Sequence, residues 1–316
     1  MDDENISPID QRIVVVIIVF TTALIGFIGN LMVFLFATTL KSLQNSFGRL
    51  AAAQSFAEAI LCAVFAFFYS PMVLFNLKPL KQSSAYVGLV LLYCYDVCIF
   101  THLAIAFNRF VAISRPIAYN SIFSLRNNQI VIVFAYAIPC FTSIYMHSAN
   151  NCLLPYIDFG WYFGVNLSKE CDDIRYYIDF CKDFGTVALI GILDIATIAM
   201  IRMTAPRIIS NQISERRRKS EITFVKQALI QGAAFAAELV FFFIIAGMQT
   251  TPVRIFIFST LSWVLVHSID PFIIIMLNFE FRAMLFSNGI FRSISCTSAS
   301  NIENSTTNGR NLAGNI

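Results

Sequence analysis

Charged residues are scarce in this sequence. Only 13% of its 316 residues are Asp, Glu, Lys or Arg, whereas 57% are hydrophobic and 32 residues are Phe. A soluble domain of this length carries roughly twice that charged fraction. The composition therefore excludes an ordinary soluble protein and predicts an integral membrane protein.

Histidine is also rare, and the spacings that mark metal and nucleotide sites are missing. The chain has three His residues, no His-x-x-x-His pattern, no Cys/His metal-ligand spacing and no Gly-rich phosphate loop. A membrane enzyme needs a nucleophile–base pair or metal ligands within the bilayer. We therefore expect no catalytic activity, no metal, no cofactor and no nucleic-acid partner.

Seven apolar runs occur along the chain, and each is long enough to cross a bilayer as a helix. Their approximate bounds are Ile13–Thr39, Leu50–Leu77, Ala85–Ile113, Ile130–His147, Tyr177–Ile201, Phe224–Met248 and Ile255–Leu277. Such runs fold as helices because lipid offers no partner for unpaired backbone groups. The first run lacks the basic start and the cleavage site of a secretory signal, so we expect it to be retained. The predicted fold is an all-α membrane protein, a bundle of seven transmembrane helices.

Lys and Arg are unevenly distributed among the polar segments between these runs. If the N-terminus lies outside, the outer segments hold seven of the 22 Lys and Arg residues, and the inner segments hold 15. Positive charge concentrates on the inner side of membrane proteins, which favours this orientation. Two sequons, at Asn5 and Asn166, then lie outside as candidate glycosylation sites, and a third, at Asn304, lies inside.

The third apolar run ends in a short motif with one arginine. The motif reads Asn108-Arg109-Phe110, with Pro116 seven residues and Tyr119 ten residues after the arginine. This order resembles the end of the third helix of rhodopsin-like receptors, where Asp/Glu-Arg-Tyr is usual. The resemblance implies that these five residues form the switch that couples to a G protein. The alternative interpretation is an arginine that only extends its side chain to the membrane surface and marks the end of a span.

Three other runs carry polar residues in register with the same receptor family. The counterparts are Asn30 in the first run, Gln54 with Glu58 in the second, and Asp270-Pro271 in the seventh. Gln54 stands where the family has a carboxylate, and Glu58 lies one helical turn further on. We predict that these residues form a polar network in the middle of the bundle.

The departures from ordinary rhodopsin-like receptors are informative. The fifth and sixth runs contain no proline, and the fourth contains neither of the two Trp residues. The motifs that remain look like the nematode serpentine receptor class x, a branch of the chemoreceptor families: Ser42–Leu50, Gln54–Glu58, Cys152…Trp161…Cys171, and Phe224–Gln231 with Glu238. This resemblance covers roughly Gly26 to Arg282. It implies a chemosensory receptor in the plasma membrane of sensory cilia or dendrites, which binds a small molecule and signals to a heterotrimeric G protein.

The resemblance also suggests how the chain divides. Residues 1–12 form an outer N-terminal segment, residues 13–291 the seven-helix receptor domain, and residues 292–316 a disordered inner tail. After the seventh run, Asn278–Phe286 alternates apolar and polar faces, which predicts an amphipathic helix on the inner membrane surface.

The longest outer segment, from Ser148 to about Tyr176, contains two cysteines. Cys152 and Cys171 lie within it, and Cys181 follows at the mouth of the fifth run. Rhodopsin-like receptors tie this loop to the outer end of the third helix, but that end has no cysteine here. Outer thiols pair in an oxidising environment, so the sequence favours Cys152–Cys171, with Cys181 as the rival partner.

Candidate ligand contacts come from polar residues in the outer half of the bundle. Asp96 precedes Arg109 by 13 residues, about 20 Å along a helix. Tyr93 and Asp183 are expected near it. An ionisable residue within the membrane is a functional candidate by default, which suggests that Asp96 orients the ligand. The alternative is a carboxyl group that only holds helices together.

A transporter or channel subunit is the alternative class of function. Such proteins commonly contain paired half-helices or inverted repeats with Gly and Pro breaks. The sequence has seven runs without an internal repeat, which argues for the receptor.

Overall fold

The structure is a computed structural model, and it describes residues 8–148, 152–164, 169–204 and 212–286. Seven helices in the described residues are long and apolar enough to cross a membrane. They are α1 Ile9–Phe36, α2 Ser46–Leu74, α3 Lys78–Ser114, α4 Leu125–Ser148, α5 Lys169–Met203, α6 Ile222–Met248 and α7 Pro252–Leu277. The predicted seven-helix class is confirmed.

Helix boundaries follow ordinary start signals. Asn45 precedes α2, and its side-chain oxygen accepts a hydrogen bond from the backbone N–H of Gly48 at 3.0 Å. Pro79 lies in the first turn of α3, and Pro252 is the first residue of α7, which suits proline because these positions need no backbone donor. Helix α5 begins eight residues earlier than the apolar run predicts, since Lys169–Ile174 is already helical.

Four π-helical turns interrupt the described helices. They are Phe65–Tyr69 in α2, Arg175–Phe180 in α5, Val240–Ile245 in α6 and Ile257–Leu261 in α7. A π-turn adds a residue to one turn and redirects the helix, as a proline does elsewhere. The fifth and sixth spans, which lack proline, therefore still contain irregular turns.

Helix α3 lies at the centre of the bundle, where it packs against α2, α4, α5 and α6. Helix α1 packs against α2 and α7. Two glycines of α1 allow the close approach to α7, because a Cβ at Gly26 would overlap Ser268 and one at Gly29 would lie 3.0 Å from Pro271.

A β-hairpin that the sequence did not predict closes one end of the bundle. Strands β1 Tyr156–Ile157 and β2 Tyr162–Phe163 are antiparallel. The carbonyl of fully buried Trp161, in the turn, accepts hydrogen bonds from the hydroxyls of Tyr69 (2.7 Å) and Thr260 (2.8 Å). We call this end of the bundle the hairpin end and the opposite end, where α3 finishes, the Arg109 end.

The residues after Leu277 form a separate compact unit. Its described part is helix α8, Phe279–Phe286. The Asn278 side-chain oxygen accepts hydrogen bonds from the backbone N–H groups of Glu280 and Phe281, which starts this helix. The predicted tail, residues 292–316, lies outside the described residues.

Candidate functional site

A cavity of about 240 Å³ lies beneath the hairpin, between α3, α5, α6 and α7. Its walls are mainly aromatic, with six rings, from Tyr95, Tyr162, Phe163, Phe242, Phe243 and Trp263. Its charged groups are Arg175, Asp179 and Glu238. A concave apolar site with a few convergent polar groups is the usual form of a small-molecule site.

The polar groups of the cavity hold defined positions. The Tyr95 hydroxyl donates a hydrogen bond of 2.7 Å to Glu238 Oε2, which joins α3 to α6. Arg175 lies over the ring of Phe243, with 5.8 Å between the guanidinium carbon and the ring centroid. Arg175, Asp179 and Phe243 all belong to π-helical turns. These irregular turns therefore position part of the cavity wall, and the apolar runs of the sequence contained no signal for them.

None of the three predicted ligand contacts lines this cavity. Tyr93 instead borders a shallow groove between α3 and α4, together with Tyr136 and Cys140. Residues two apart on a helix point in nearly opposite directions. Tyr95 therefore faces the cavity, whereas Tyr93 faces away from it, and a ligand contact at Tyr93 stays a prediction.

Asp96 and Asp183 lie in a buried ionic cluster that also contains Lys182 and the cavity residue Asp179. The Lys182 ammonium donates to Asp96 on α3 and lies 3.3 Å from Asp183 Oδ1. Thr142 of α4 donates to Asp96 at 3.4 Å. Asp96 therefore links α3 to α4 and α5 in this structure, and its role as a ligand contact stays a prediction.

The predicted polar residues of α1, α2 and α7 meet in the middle of the bundle. Asp270 accepts hydrogen bonds from Gln54 at 3.0 Å and from Gln231 of α6 at 2.7 Å. Gln54 also donates to Glu58 at 3.2 Å. Asn30 donates to the backbone carbonyl of His267 at 2.9 Å. Gln54 thus supplies an amide donor between two acidic side chains, Glu58 and Asp270, at a position where a third carboxylate would repel both.

Gln231 and His267 belong to this network, although the sequence gave them no role. Both side chains are buried. Gln231 connects α6 to the network, and His267 is a second residue of α7 within it. Pro271, the other predicted member, packs against Gly29. Asp270-Pro271 and Gln54 were recognisable by their register with rhodopsin-like receptors, whereas Gln231 belongs to the Phe224–Gln231 stretch, whose resemblance assigned no role to single residues.

Arg109 is buried rather than extended to the membrane surface. Only 2% of its surface is exposed, and its guanidinium carbon lies 3.9 Å from the ring centroid of Phe47 and 4.5 Å from that of Phe224. The two rings are 4.6 Å apart. The arginine of α3 therefore joins α2 to α6 through cation–π contacts.

The other residues of the arginine motif lie around the end of α3. Asn108 is buried and donates a hydrogen bond of 3.2 Å to the Tyr119 hydroxyl. Phe110 is half-buried, and Pro116 is exposed just after the helix ends. Asn108 thus connects α3 to the following helical turn, Tyr119–Ile122.

One face of α6 contacts all three regions. Phe224 stacks at Arg109, Gln231 binds Asp270 and Glu238 lines the cavity. These residues are seven apart, which is two helical turns and about 10.5 Å for each interval. This regular spacing is the sequence signal by which Gln231 and Glu238 were identifiable.

The segment that carries the hairpin, residues 152–171, is closed by a disulfide and is also bound to α3. Cys152 and Cys171 form a disulfide, the pairing that the sequence favoured. Cys181 is free and exposed. The predicted glycosylation sites, Asn5 and Asn166, lie outside the described residues.

Contacts other than a disulfide connect this segment to α3. Ser84 Oγ accepts a hydrogen bond from the Tyr156 backbone N–H at 3.0 Å, and Lys81 pairs with Asp158 at 2.6 Å. Burial near Asp158 raises the pKa of the Tyr156 phenol, so this ring stays neutral. The hairpin end of α3 is therefore anchored without a cysteine.

Comparisons with known proteins agree with this geometry. Residues 20–278 match the family described as serpentine type 7TM GPCR chemoreceptor Srx. The chain is 28% identical over 305 residues to Serpentine receptor class X 45 of Caenorhabditis elegans, which spans 90% of this chain and 83% of that protein. It is 27% identical over 254 residues to Serpentine receptor class X-43 of the same nematode, 79% of each chain. Its fold is similar to that of squid rhodopsin, with a TM-score of 0.74, 16% identity, and coverage of 90% of this chain and 87% of that one.

Proposed function

The chain belongs to the Srx family of serpentine seven-transmembrane chemoreceptors, and we propose that it binds its small-molecule ligand in the cavity beneath the hairpin. The observation that carries this proposal is the cavity itself, with aromatic walls and three charged groups under a disulfide-closed segment. A ligand with an apolar body and hydrogen-bond donors fits this lining, because Asp179 and Glu238 offer acceptors beside the rings.

The hairpin end faces the outside in this proposal, and the Arg109 end faces the cytoplasm. The distribution of Lys and Arg, seven outside against 15 inside, supports an outer N-terminus. The plasma membrane of sensory cilia or dendrites is the location typical of the family. Tags at both ends test the orientation: an N-terminal tag is expected to stain on intact cells, and staining of a C-terminal tag would reverse it.

The signal is proposed to reach a heterotrimeric G protein through α6. A ligand shifts a two-state equilibrium only through contacts that differ between the two states. A ligand that changes the Tyr95–Glu238 contact acts directly on the helix whose other end stacks on Arg109. A displacement of α6 at Phe224 would open the Arg109 end to the G protein.

A matched pair of tyrosine variants tests the ligand site. Cells that express this chain as their only added receptor are assayed with a panel of volatile and soluble small molecules by calcium and cAMP readouts. For any active compound we expect Tyr95→Phe and Glu238→Gln to raise the half-maximal concentration at least tenfold at equal surface level. Tyr93→Phe, which alters a ring in the groove outside the cavity, should leave it unchanged.

The proposal is contradicted if Tyr93→Phe and Tyr95→Phe shift the response equally. It is also contradicted if a Glu238→Gln receptor responds like the unaltered one, because the cavity would then not hold the ligand.

A further inference from the structure

Three side chains with metal-binding atoms converge in the core of the bundle. They are Glu58 of α2, Cys98 of α3 and His267 of α7. One ligand atom of each lies within 4.8 Å of the other two, and all three residues are 0% exposed. No two of them belong to the same helix. Their sequence separations of 40 and 169 residues explain why the sequence showed no metal-ligand spacing.

Several polar atoms of this triad lack hydrogen-bond partners among the described residues, although Glu58 Oε1 accepts a hydrogen bond from Gln54. Neither ring nitrogen of His267 has a hydrogen-bond partner among the described residues, and the same holds for Glu58 Oε2. His267 Nδ1 lies 3.6 Å from Glu58 Oε1, too far for a hydrogen bond. Two ligands of a tetrahedral Zn²⁺ ion, each about 2.0–2.2 Å from the metal, are separated by roughly that distance.

We propose that Glu58, Cys98 and His267 form a binding site for a single Zn²⁺-like transition-metal ion. A sulfur, an imidazole nitrogen and a carboxylate oxygen make a mixed donor set that suits zinc and other borderline-soft metals. Ca²⁺ and Mg²⁺ require six or more oxygen ligands, which this site does not offer. Three protein ligands leave a fourth position for water or a further group.

The charge balance favours the metal in this fully buried site. A thiolate and a carboxylate together neutralise a divalent cation, whereas a lone charge in the core of a membrane protein is strongly unfavourable. Binding releases the Cys98 thiol proton to solvent, because the thiolate is the ligand. The ring of His267 is already oriented by edge contacts with Tyr95 at 5.7 Å and Phe235 at 5.5 Å.

The ion would hold α2, α3 and α7 together one layer below the cavity. Tyr95 contacts both the His267 ring and Glu238 of the cavity wall. Bound metal therefore stabilises the present arrangement of the three helices. The side chain of Tyr95 connects the metal site to the cavity, so a ligand in the cavity would be one side chain away from His267.

Cobalt is a suitable probe, because Co²⁺ occupies zinc sites and a Co²⁺–thiolate bond absorbs strongly in the near ultraviolet. The full-length receptor is purified in detergent with Cys140→Ser and Cys181→Ser, which replace the two exposed free cysteines of the described residues. Cys296→Ser is added, because Cys296 lies outside those residues and its thiol could also bind Co²⁺. Co²⁺ alone is then titrated in, and Zn²⁺ is added as a competitor. We expect one Co²⁺ per receptor with a thiolate absorption band, and loss of the band when Zn²⁺ is added.

Matched variants assign the band to the triad. Cys98→Ser should abolish it, and Glu58→Gln and His267→Gln should weaken Co²⁺ binding at least tenfold. Cys94→Ser removes a buried cysteine one turn away on the same helix, and His102→Gln removes another fully buried histidine. Both controls should keep the band.

Thermal unfolding provides a second readout on the unaltered receptor, in which Zn²⁺ should raise the melting temperature. The proposal is overturned if the parent receptor shows no thiolate band and no thermal shift. It is equally overturned if the band survives in Cys98→Ser or disappears in Cys94→Ser, since the metal would then bind elsewhere.

Discussion

Replacing Phe224 tests whether the aromatic stack at Arg109 holds α6 in place. The ring of Phe224 lies 4.5 Å from the guanidinium carbon of Arg109 and 4.6 Å from the ring of Phe47. Phe224→Leu keeps an apolar side chain of similar volume but removes the ring. Phe224→Tyr keeps the ring. The pair therefore separates the cation–π contact from simple packing.

The expected effect follows from the burial of the stack. A desolvated cation–π contact contributes about 2 kcal/mol, and Arg109 is 2% exposed. If the contact is lost when α6 moves, its removal shifts the equilibrium towards the active arrangement by about 30-fold. A receptor with about 1% of molecules active without ligand would then have roughly a quarter of them active.

The assay is ligand-independent second messenger, normalised to surface receptor. We expect Phe224→Leu to signal strongly without ligand and Phe224→Tyr to match the unaltered chain. Equal basal signalling in all three receptors would refute the reasoning, because the stack would then contribute nothing to the choice between states. High basal signalling in Phe224→Tyr would also refute it, since the ring would be present without restraining α6.

Two further predictions concern the segment at the hairpin end. Gly88→Ala should lower surface expression severalfold, because the added Cβ would overlap the backbone carbonyl of Leu154. Gly191 has open space around it, so Gly191→Ala should leave surface expression unchanged. Surface antibody staining measures both variants. Cys152→Ser and Cys171→Ser should each lower surface level by removing a disulfide worth about 3 kcal/mol, the double variant should cost little more than either single one, and Cys181→Ser should be neutral. Additive losses on the same staining assay would contradict this pairing.

Much of the fold was accessible from the sequence, because the constraints of a bilayer are simple. Apolar runs must become helices in lipid, and seven such runs become seven helices. Motif spacing also predicted that Asn30, Gln54 and Asp270 would meet. Residues at the motif positions of rhodopsin-like receptors lie together in this bundle as the motifs predict, even where the residue type differs, as at Gln54.

The details of the cavity were not accessible in the same way. The sequence pointed to Tyr93 and not to the cavity residue Tyr95, because depth along a helix follows from counting residues, whereas the direction of a side chain depends on how the helix is rotated. The π-turns that contribute Arg175 and Asp179 add a residue to a turn, and hydropathy carries no information about them. The hairpin was not predicted either, because its strands are only two residues long and are too short to show an alternating pattern.

The spacing of contacts along α6 suggests why the receptor can dispense with prolines in this helix. Glu238, Gln231 and Phe224 lie on one face at intervals of two turns, and each makes a different contact: with Tyr95 of α3 at the cavity, with Asp270 of α7 in the core and with Arg109 of α3 at the far end. A rigid helix with three such contacts changes all of them when it tilts or rotates. The proposed ligand binding in the cavity and the proposed opening at Arg109 are then coupled through one helix, and such coupling is reciprocal. In the proposed mechanism, a G protein that stabilises the open Arg109 end therefore raises the affinity of the cavity for its ligand by the same factor.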